Sequence, residues 1–185
     1  MQSNQVDKSK YPGGIITGVM PGSIGKELGI TPGDKLLSID GQPLIDILDY
    51  RYLIADEELE VVISRGDQEL HFELEKDYDE DLGLEFEDVL FDQIRRCKNN
   101  CDFCFIYQLP KKMRRSLYVK DDDYRLSFLY GNYVTLAGLK DEDYDRIIRY
   151  HLSPLYVSVH ASDLSQRRKL LRNERAEDII ERLKF

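Results

Sequence analysis

The sequence predicts a two-part protein in which a β-rich unit precedes an α/β unit with parallel strands. In the first part, short apolar stretches lie between glycine and proline turns, which is typical of antiparallel strands. In the second part, strand-like stretches alternate with helical ones, which indicates βα units. An acidic stretch separates the two patterns and predicts a linker at 77–83. The predicted organisation is a flexible polar tail at 1–10, a β-rich domain at 11–76, this linker, and an α/β region at 84–185.

The elements of the first part follow from its turns and its periodicity. Glycine and proline bound the apolar stretches, and Asp40-Gly41 is the strongest hairpin signal in the chain. Leu44, Leu48 and Tyr52 recur at helical spacing and predict an amphipathic helix. Apolar and polar residues alternate on both sides of a turn at 65–68, as expected for a half-buried hairpin. The predicted strands are 15–19, 35–39, 60–64 and 69–75, and the predicted helices are 24–28 and 44–55.

The second part contains three apolar stretches that are predicted as strands, at 89–94, 125–130 and 155–160. A loop with all the cysteines follows the first stretch, and helical patterns at 141–151 and 176–183 follow the other two. Parallel strands need a crossover connection, which is usually a helix, so this order predicts parallel βα units.

Composition and charge exclude several classes of protein. No run approaches the roughly 18 apolar residues of a membrane span, and the N-terminus lacks the apolar core of a signal peptide, so a cytoplasmic location is expected. The net charge of −9 argues against general binding of nucleic acid. The basic segments 111–115 and 167–173 are interpreted as solvated surface. An RNA-directed enzyme that uses the first segment remains an alternative, as does a carboxylate or phosphate ligand for an arginine of the second.

The cysteines form the strongest functional signal in the chain. Cys97, Cys101 and Cys104 form a C-x3-C-x2-C pattern, and no other cysteine is present. An odd, clustered set in a chain without an export signal indicates metal or redox chemistry rather than disulfides. Three thiolates can hold three irons of a 4Fe-4S cluster and leave one iron open. A zinc site with His151 or His160 as fourth ligand, or free buried thiols, are the alternatives.

The first part contains several turns and strands at fixed spacing, namely Gly14 to Val19, Pro21-Gly22-Ser23, Gly29-Ile30, Pro32 to Leu36 and Ile39-Asp40-Gly41. On these residues it resembles a PDZ domain of the kind found in bacterial HtrA proteases. It implies that a partner's C-terminus pairs with the first strand beside Ile15 and Ile16, while its carboxylate meets backbone N–H groups near Gly13 and Gly14. The helix at 44–55 is the expected second wall of the groove. The alternative is that the module docks within its own chain.

The cysteine loop, with an aromatic residue directly before the last cysteine, is similar to the signature of the radical S-adenosylmethionine (SAM) superfamily. The resemblance implies a 4Fe-4S cluster on Cys97, Cys101 and Cys104, with SAM as the second cofactor. In that family the reduced cluster cleaves SAM, and a 5′-deoxyadenosyl radical removes a hydrogen atom from the substrate. The resemblance also implies that Phe103 lies beside the adenine of SAM.

Two further segments resemble positions of the same superfamily. The segment 131–135 stands where many members bind the SAM amine, which implies SAM contact by Gly131 and Asn132. Val157 to Ala161 resembles a Ser-x-His-Ala strand end. Ser158 and His160 alternate along this predicted strand, so both are expected to face one side. They are therefore predicted to contribute to the cofactor site.

All these segments together resemble a bacterial family of radical SAM-like proteins, putative FeS oxidoreductases, that carry a PDZ domain and a DUF512 domain. The resemblance implies a PDZ-like domain followed by the first three βα units of a partial, TIM-like radical SAM barrel. The resemblance implies that the chain is an N-terminal fragment or a truncated form, because family members extend further. An enzyme that cleaves SAM reductively is the leading hypothesis, although this chain is expected to be incomplete for turnover. A peptide-binding scaffold with a structural or sensory metal site is the alternative.

Overall fold

The computed structural model describes residues 11–184, which form two compact units. The boundary between the units lies between Gln93 and Ile94, beyond the linker predicted at 77–83. The tail predicted at 1–10 lies outside the described residues. Among the described residues, no helix has the length and apolar character needed to cross a bilayer.

The first unit is built on one six-stranded sheet in which every pairing is antiparallel. The strand order is β5-β4-β2-β1-β6, and β3 pairs with β2 away from this path. The strands are β1 (Gly14–Val19), β2 (Lys35–Ile39), β3 (Gln42–Pro43), β4 (Glu58–Arg65), β5 (Gln68–Glu75) and β6 (Leu84–Phe86). The helices are α1 (Ile24–Glu27) and α2 (Ile47–Leu53). The structure confirms the predicted hairpin, which is formed by β4 and β5, and both predicted helices, which are α1 and α2.

The core of the first unit lies between the sheet and α2. Inward residues of three strands are fully buried, as the alternation of their side chains requires. Asp46 caps α2 by accepting hydrogen bonds from the backbone N–H groups of Leu48 and Asp49, which fixes where this helix begins. The buried core residues include Ile16, Leu36, Ile39, Val61 and Ile63 from the strands, and Leu48, Tyr50 and Leu53 from the helix.

The segment after the acidic stretch belongs to the first unit, which corrects the strand predicted at 89–94. Its residues 84–86 form β6, and Leu90 then makes an isolated bridge with Asp46. Phe86 and Phe91 pack against the core of the first unit. The apolar pattern is therefore explained by burial against this core and not by a strand of the second unit.

The second unit is mostly helical and irregular. Two short strands, β7 (Tyr133–Val134) and β8 (Tyr156–Val157), pair in parallel. The helices are α3 (Phe105–Gln108), α4 (Tyr124–Tyr130), α5 (Asp141–Arg149), α6 (Leu164–Leu171) and α7 (Ile179–Arg182), with a short 3-10 helix at Arg115–Tyr118. Helix α5 agrees with the sequence-based prediction, whereas α6 was not predicted.

Two predicted strands of the second unit were wrong in kind or length. The stretch 125–130 is helix α4, because Asp123 caps its beginning and Gly131 ends it in the left-handed conformation. The stretch 155–160 shortens to the two residues of β8. The described residues of this unit therefore contain two parallel strands, and they do not display the three βα units predicted for a partial barrel.

Candidate functional site

The beginning of the cysteine loop is held by a short extended pairing. The backbone N–H of Cys97 donates to the carbonyl of Lys120 at 2.8 Å, and Arg96 bridges Asp121 in antiparallel fashion. The backbone N–H of Asp122 donates to the carbonyl of Arg95 at 2.9 Å. Residues 95–97 and 120–122 therefore form a two-stranded support that fixes the position of the first thiol.

The middle of the loop is anchored to the end of α6. The backbone N–H of Asn100 donates to the carbonyl of Leu171 at 2.9 Å. Cys101 is buried in an apolar cluster with Ala137, Leu171 and Ala176, and Cys104 packs against this cluster. Two of the thiols thus share one apolar environment, which limits the access of water to them.

Asn99 joins the loop to β7 and to the segment after α6. It is 2% exposed, and its side-chain amide donates to the hydroxyl of Thr135 at 3.0 Å. Its side-chain oxygen accepts from the amide of Asn173 at 2.7 Å. The Thr135 hydroxyl in turn donates to Asp122 at 2.6 Å. Every link is a buried or half-buried hydrogen bond, so this network makes the loop rigid.

Burial and neighbouring negative charges raise the pKa of two of the thiols, whereas Lys120 lowers it. Burial raises the pKa of Cys97, the charge of Asp122 raises it further, and Lys120 lowers it. Burial also raises the pKa of Cys101, where the neighbouring Cys104 acts in the same direction and Lys120 again opposes. The pKa of each of these thiols therefore responds to a neighbouring thiol, to the ammonium group of Lys120 and to the carboxylate of Asp122.

Arg167 is the least expected residue of the site. It was interpreted as part of a solvated segment, but it is 1% exposed. Its guanidinium donates to the carbonyl of Val159 at 2.5 Å and to that of Thr135 at 2.6 Å. Its Nε atom is buried and has no hydrogen-bond partner among the described residues. Arg167 thus links the chain just after β7 to the chain just after β8.

Arg167 interacts electrostatically with several neighbouring ionisable groups. Burial lowers the pKa of Arg167 itself, whereas the charges of Asp122 and Cys101 act to raise it. Burial lowers the pKa of His160, and Arg167 lowers it further. The only sequence signal for this role was the basic pattern of the segment, and that pattern does not reveal which arginine faces inward.

The structure brings two predicted cofactor-binding residues together. The rings of Phe103 and His160 lie 5.1 Å apart between centroids, at an interplanar angle of 39°. His160 has a positive φ of 65°, a conformation that is uncommon for a residue other than glycine. Because β8 ends at Val157, the predicted alternation of Ser158 and His160 along a strand is not present. The Ser158 N–H instead donates to the carbonyl of Val134 at 2.9 Å.

The other two predicted SAM-contacting residues follow helix α4. Gly131 ends α4 with a φ of 76°, and the Asn132 amide donates to Asp121 at 2.9 Å. Both residues precede β7, whereas Thr135 follows it. They were placed after a strand that is in fact helix α4, so their expected position at a strand end is wrong.

A ready-formed metal site is not present in the described part of the chain. Within residues 11–184, no three histidine, cysteine, aspartate or glutamate side chains form a group with metal-binding geometry. This finding applies equally to a cluster site and to the zinc site with His151 or His160. None of these three cysteines forms a disulfide, and Cys101 is buried while the other two are half-buried.

The peptide-binding strand expected in the first unit is already paired on both edges. Gly14 and Ile15 lie opposite Leu36 and Lys35 of β2. On the other edge, β1 pairs with β6, where Ile16 lies opposite Phe86. Gly13 and Gly14 are buried, and Gly13 has a φ of 72°.

Comparison with known families gives one match in each part of the sequence, and the second match begins within the first structural unit. Residues 76–185 match the family model described as a radical SAM-like domain. Residues 15–65 match the model of the PDZ domain. The two resemblances predicted from the sequence are confirmed at this level. A search of curated proteins found no match.

Proposed function

Because the chain belongs to the family of radical SAM-like domains, we propose that it is a SAM-dependent radical protein. Its cluster is a 4Fe-4S cluster held by Cys97, Cys101 and Cys104. The order of the two matched domains also supports membership of the narrower family that combines PDZ, radical SAM-like and DUF512 domains.

The observation that carries the proposal is the chemistry around the cysteine loop. Three thiols stand on one loop and the sequence contains no fourth cysteine, which suits a cluster with one open iron better than a closed zinc site. Lys120 and Arg167 favour the thiolate forms that bind iron, and they act against burial and against the charge of Asp122. The unpaired Nε of Arg167 is consistent with an anionic group that completes this region.

The cluster and SAM, when bound, supply one-electron cleavage of the sulfonium and hydrogen abstraction from a substrate. The residues of the chain support this chemistry by holding and shielding the site. The Asn99 network keeps the loop in place, and the apolar cluster around Cys101 excludes water. The paired rings of Phe103 and His160 offer an aromatic surface for the adenine, with Ser158 nearby in sequence.

SAM contact by Gly131 and Asn132 has less structural support. Their position before β7 gives no support to such a contact, since Thr135 is the residue that follows this strand. We therefore place the SAM-contacting role with Phe103, Ser158 and His160.

The rival function is a peptide-binding scaffold with a structural or sensory metal site. Strand addition needs a free strand edge, and both edges of β1 are paired in the described structure. No observation therefore favours the rival over the radical SAM function.

The proposal predicts the metal content of the chain. After anaerobic reconstitution with iron and sulfide, we expect about four irons and about four sulfides per chain. The measurement is iron, sulfide and zinc analysis of the desalted protein, with zinc offered in a parallel sample. Stoichiometric zinc that excludes iron from the thiols would contradict the proposal.

A further inference from the structure

The groove between β1 and α2 contains a segment of the same chain. Residues 84–86 pair with β1 as strand β6, and the backbone N–H of Glu87 donates to the carbonyl of Ile15 at 3.0 Å. The carbonyl of Val89 then accepts from the N–H of Ile47, at the first residue of α2, at 2.9 Å. The segment therefore contacts both walls of the groove that the PDZ resemblance predicts for a peptide.

The segment runs along β1 in the direction predicted for a bound C-terminal peptide. It runs antiparallel to β1, with Leu84 opposite Val19 and Phe86 opposite Ile16. Its later residues therefore approach Gly14 and Gly13, where the carboxylate of a ligand was predicted to lie. The segment does not end there but continues, and the Phe91 N–H donates to the carbonyl of Ile45 at 2.9 Å.

Aromatic side chains of the segment fill the groove. The ring of Phe86 lies 5.0 Å from that of Tyr50 in α2 and 4.9 Å from that of Phe91. A Cβ atom on Gly14 would lie 2.7 Å from both phenylalanine rings. This close packing therefore requires a residue without a side chain at position 14. The surface of β1 at Gly14 is complementary in shape to the two phenylalanine rings of the segment.

The segment itself forms one side of the space near the expected carboxylate position. A cavity of about 90 Å³ is lined by Gly13, Ile15 and Lys35 on one side, and by Glu87, Asp88 and Phe91 of the segment on the other. The two acidic residues stand close to where a ligand carboxylate was predicted, beside Lys35. A ligand carboxylate in this cavity would lie near the like charges of Glu87 and Asp88 as well as near Lys35.

We propose that residues 84–91 are the resident ligand of the PDZ-like groove. The partner of this interaction surface is an internal segment of the same chain, and free C-terminal peptides are excluded. The proposal does not depend on the cluster chemistry, because all its residues belong to the first unit.

Hydrogen exchange on the full chain tests the proposal directly. The amides of Glu87 and Phe91 are expected to exchange at least about 100-fold more slowly than their intrinsic rates, because both donate within the groove. Exchange of both amides at near-intrinsic rates would overturn the proposal, because the groove would then be open.

A matched pair of variants tests the hydrogen bond to β1. Glu87 is exposed, so Glu87→Pro removes the donated N–H with little loss of burial, whereas Glu87→Ala keeps the N–H. Glu87→Pro is expected to accelerate exchange of the Phe91 amide at least about fivefold, as the loss of one backbone hydrogen bond implies. Glu87→Ala is expected to leave that rate unchanged. Equal rates in the two variants would contradict the proposal.

A binding experiment asks whether the groove accepts a ligand from outside. The probe is a fluorescein-labelled peptide of residues 82–91 with a free C-terminal carboxylate, titrated with the wild-type chain and followed by fluorescence anisotropy. No saturable binding is expected up to roughly 100 μM protein, because the resident segment competes at a higher effective concentration. Saturable binding below that concentration would show an accessible groove and overturn the proposal.

Discussion

Cys104→Ala is expected to lose the 4Fe-4S cluster after anaerobic reconstitution. With one of the three thiols removed, two protein ligands remain for a cluster that needs three. Iron and sulfide should fall from about four each per chain to less than about one, and the absorption of the cluster in the visible range should disappear with them.

Asn100→Ala is the matched control for this loss. Asn100 lies in the same loop, its side chain is exposed, and its structural contact is a backbone N–H that alanine retains. This variant should bind iron and sulfide as the wild type does. Full iron and sulfide content in Cys104→Ala would show that this thiol is not a ligand.

Asp123→Ala is expected to destabilise the second unit by about 3 to 5 kcal/mol, since it removes the buried carboxylate that forms an ion pair with the Arg125 guanidinium. Asp123 and Arg125 have side chains with 0% exposure, and they form an ion pair at 2.7 Å. Asp123 also caps α4 and accepts from the backbone N–H of Arg95, just before the cysteine loop. Urea unfolding followed by hydrogen exchange in the second unit measures the change.

Asp145→Ala serves as the control, because Asp145 is exposed on α5. Its effect should stay within about 0.5 kcal/mol. A similarly small effect of Asp123→Ala would mean that the buried pair does not stabilise the unit.

The ion pair of Asp123 and Arg125 also predicts that the free energy of unfolding depends on pH. Burial acts to raise the pKa of Asp123, but the hydrogen bonds and the charge of Arg125 outweigh it and hold the pKa below its usual value of 3.8. A group with a lowered folded pKa stabilises the protein above its unfolded pKa, and this contribution is lost as the pH falls through the folded pKa. The stability difference between wild type and Asp123→Ala should therefore narrow below about pH 4.

The first unit could be predicted well because its local signals agree with one another. The turn at 65–68 and the alternation beside it define β4 and β5 without reference to distant residues. The segment 84–91 could not be predicted, because its apolar residues fit a strand of either unit. Only the complementarity between Gly14 and the rings of Phe86 and Phe91 decides where the segment packs.

The secondary structure of the second unit was harder to predict, because whether its short elements form depends on tertiary contacts. In α4 the alternation of Leu126, Phe128 and Tyr130 resembles a strand, but the cap at Asp123 and the left-handed Gly131 favour the helix. A run of aspartates directly before this stretch was a signal for that cap.

Residues of the candidate site could be proposed from the sequence where their spacing along the chain is characteristic of a chemical function. The cysteine pattern indicates a metal site from the sequence alone, and the rings of Phe103 and His160, both predicted to bind SAM, lie 5.1 Å apart. The supporting roles of Asn99 and Arg167 could not be predicted, because they depend on carbonyl and hydroxyl groups that the fold brings together. Polar residues of this kind have no characteristic spacing.

Electron paramagnetic resonance of the reconstituted, reduced protein tests the central claim most directly. The spectrum is recorded anaerobically with and without SAM, on the wild-type chain. We expect the signal of a reduced 4Fe-4S cluster, and we expect it to change when SAM is added, because SAM would bind the iron that has no cysteine ligand. A cluster signal that SAM leaves unchanged, or no cluster signal at all, would contradict a radical SAM function for this chain.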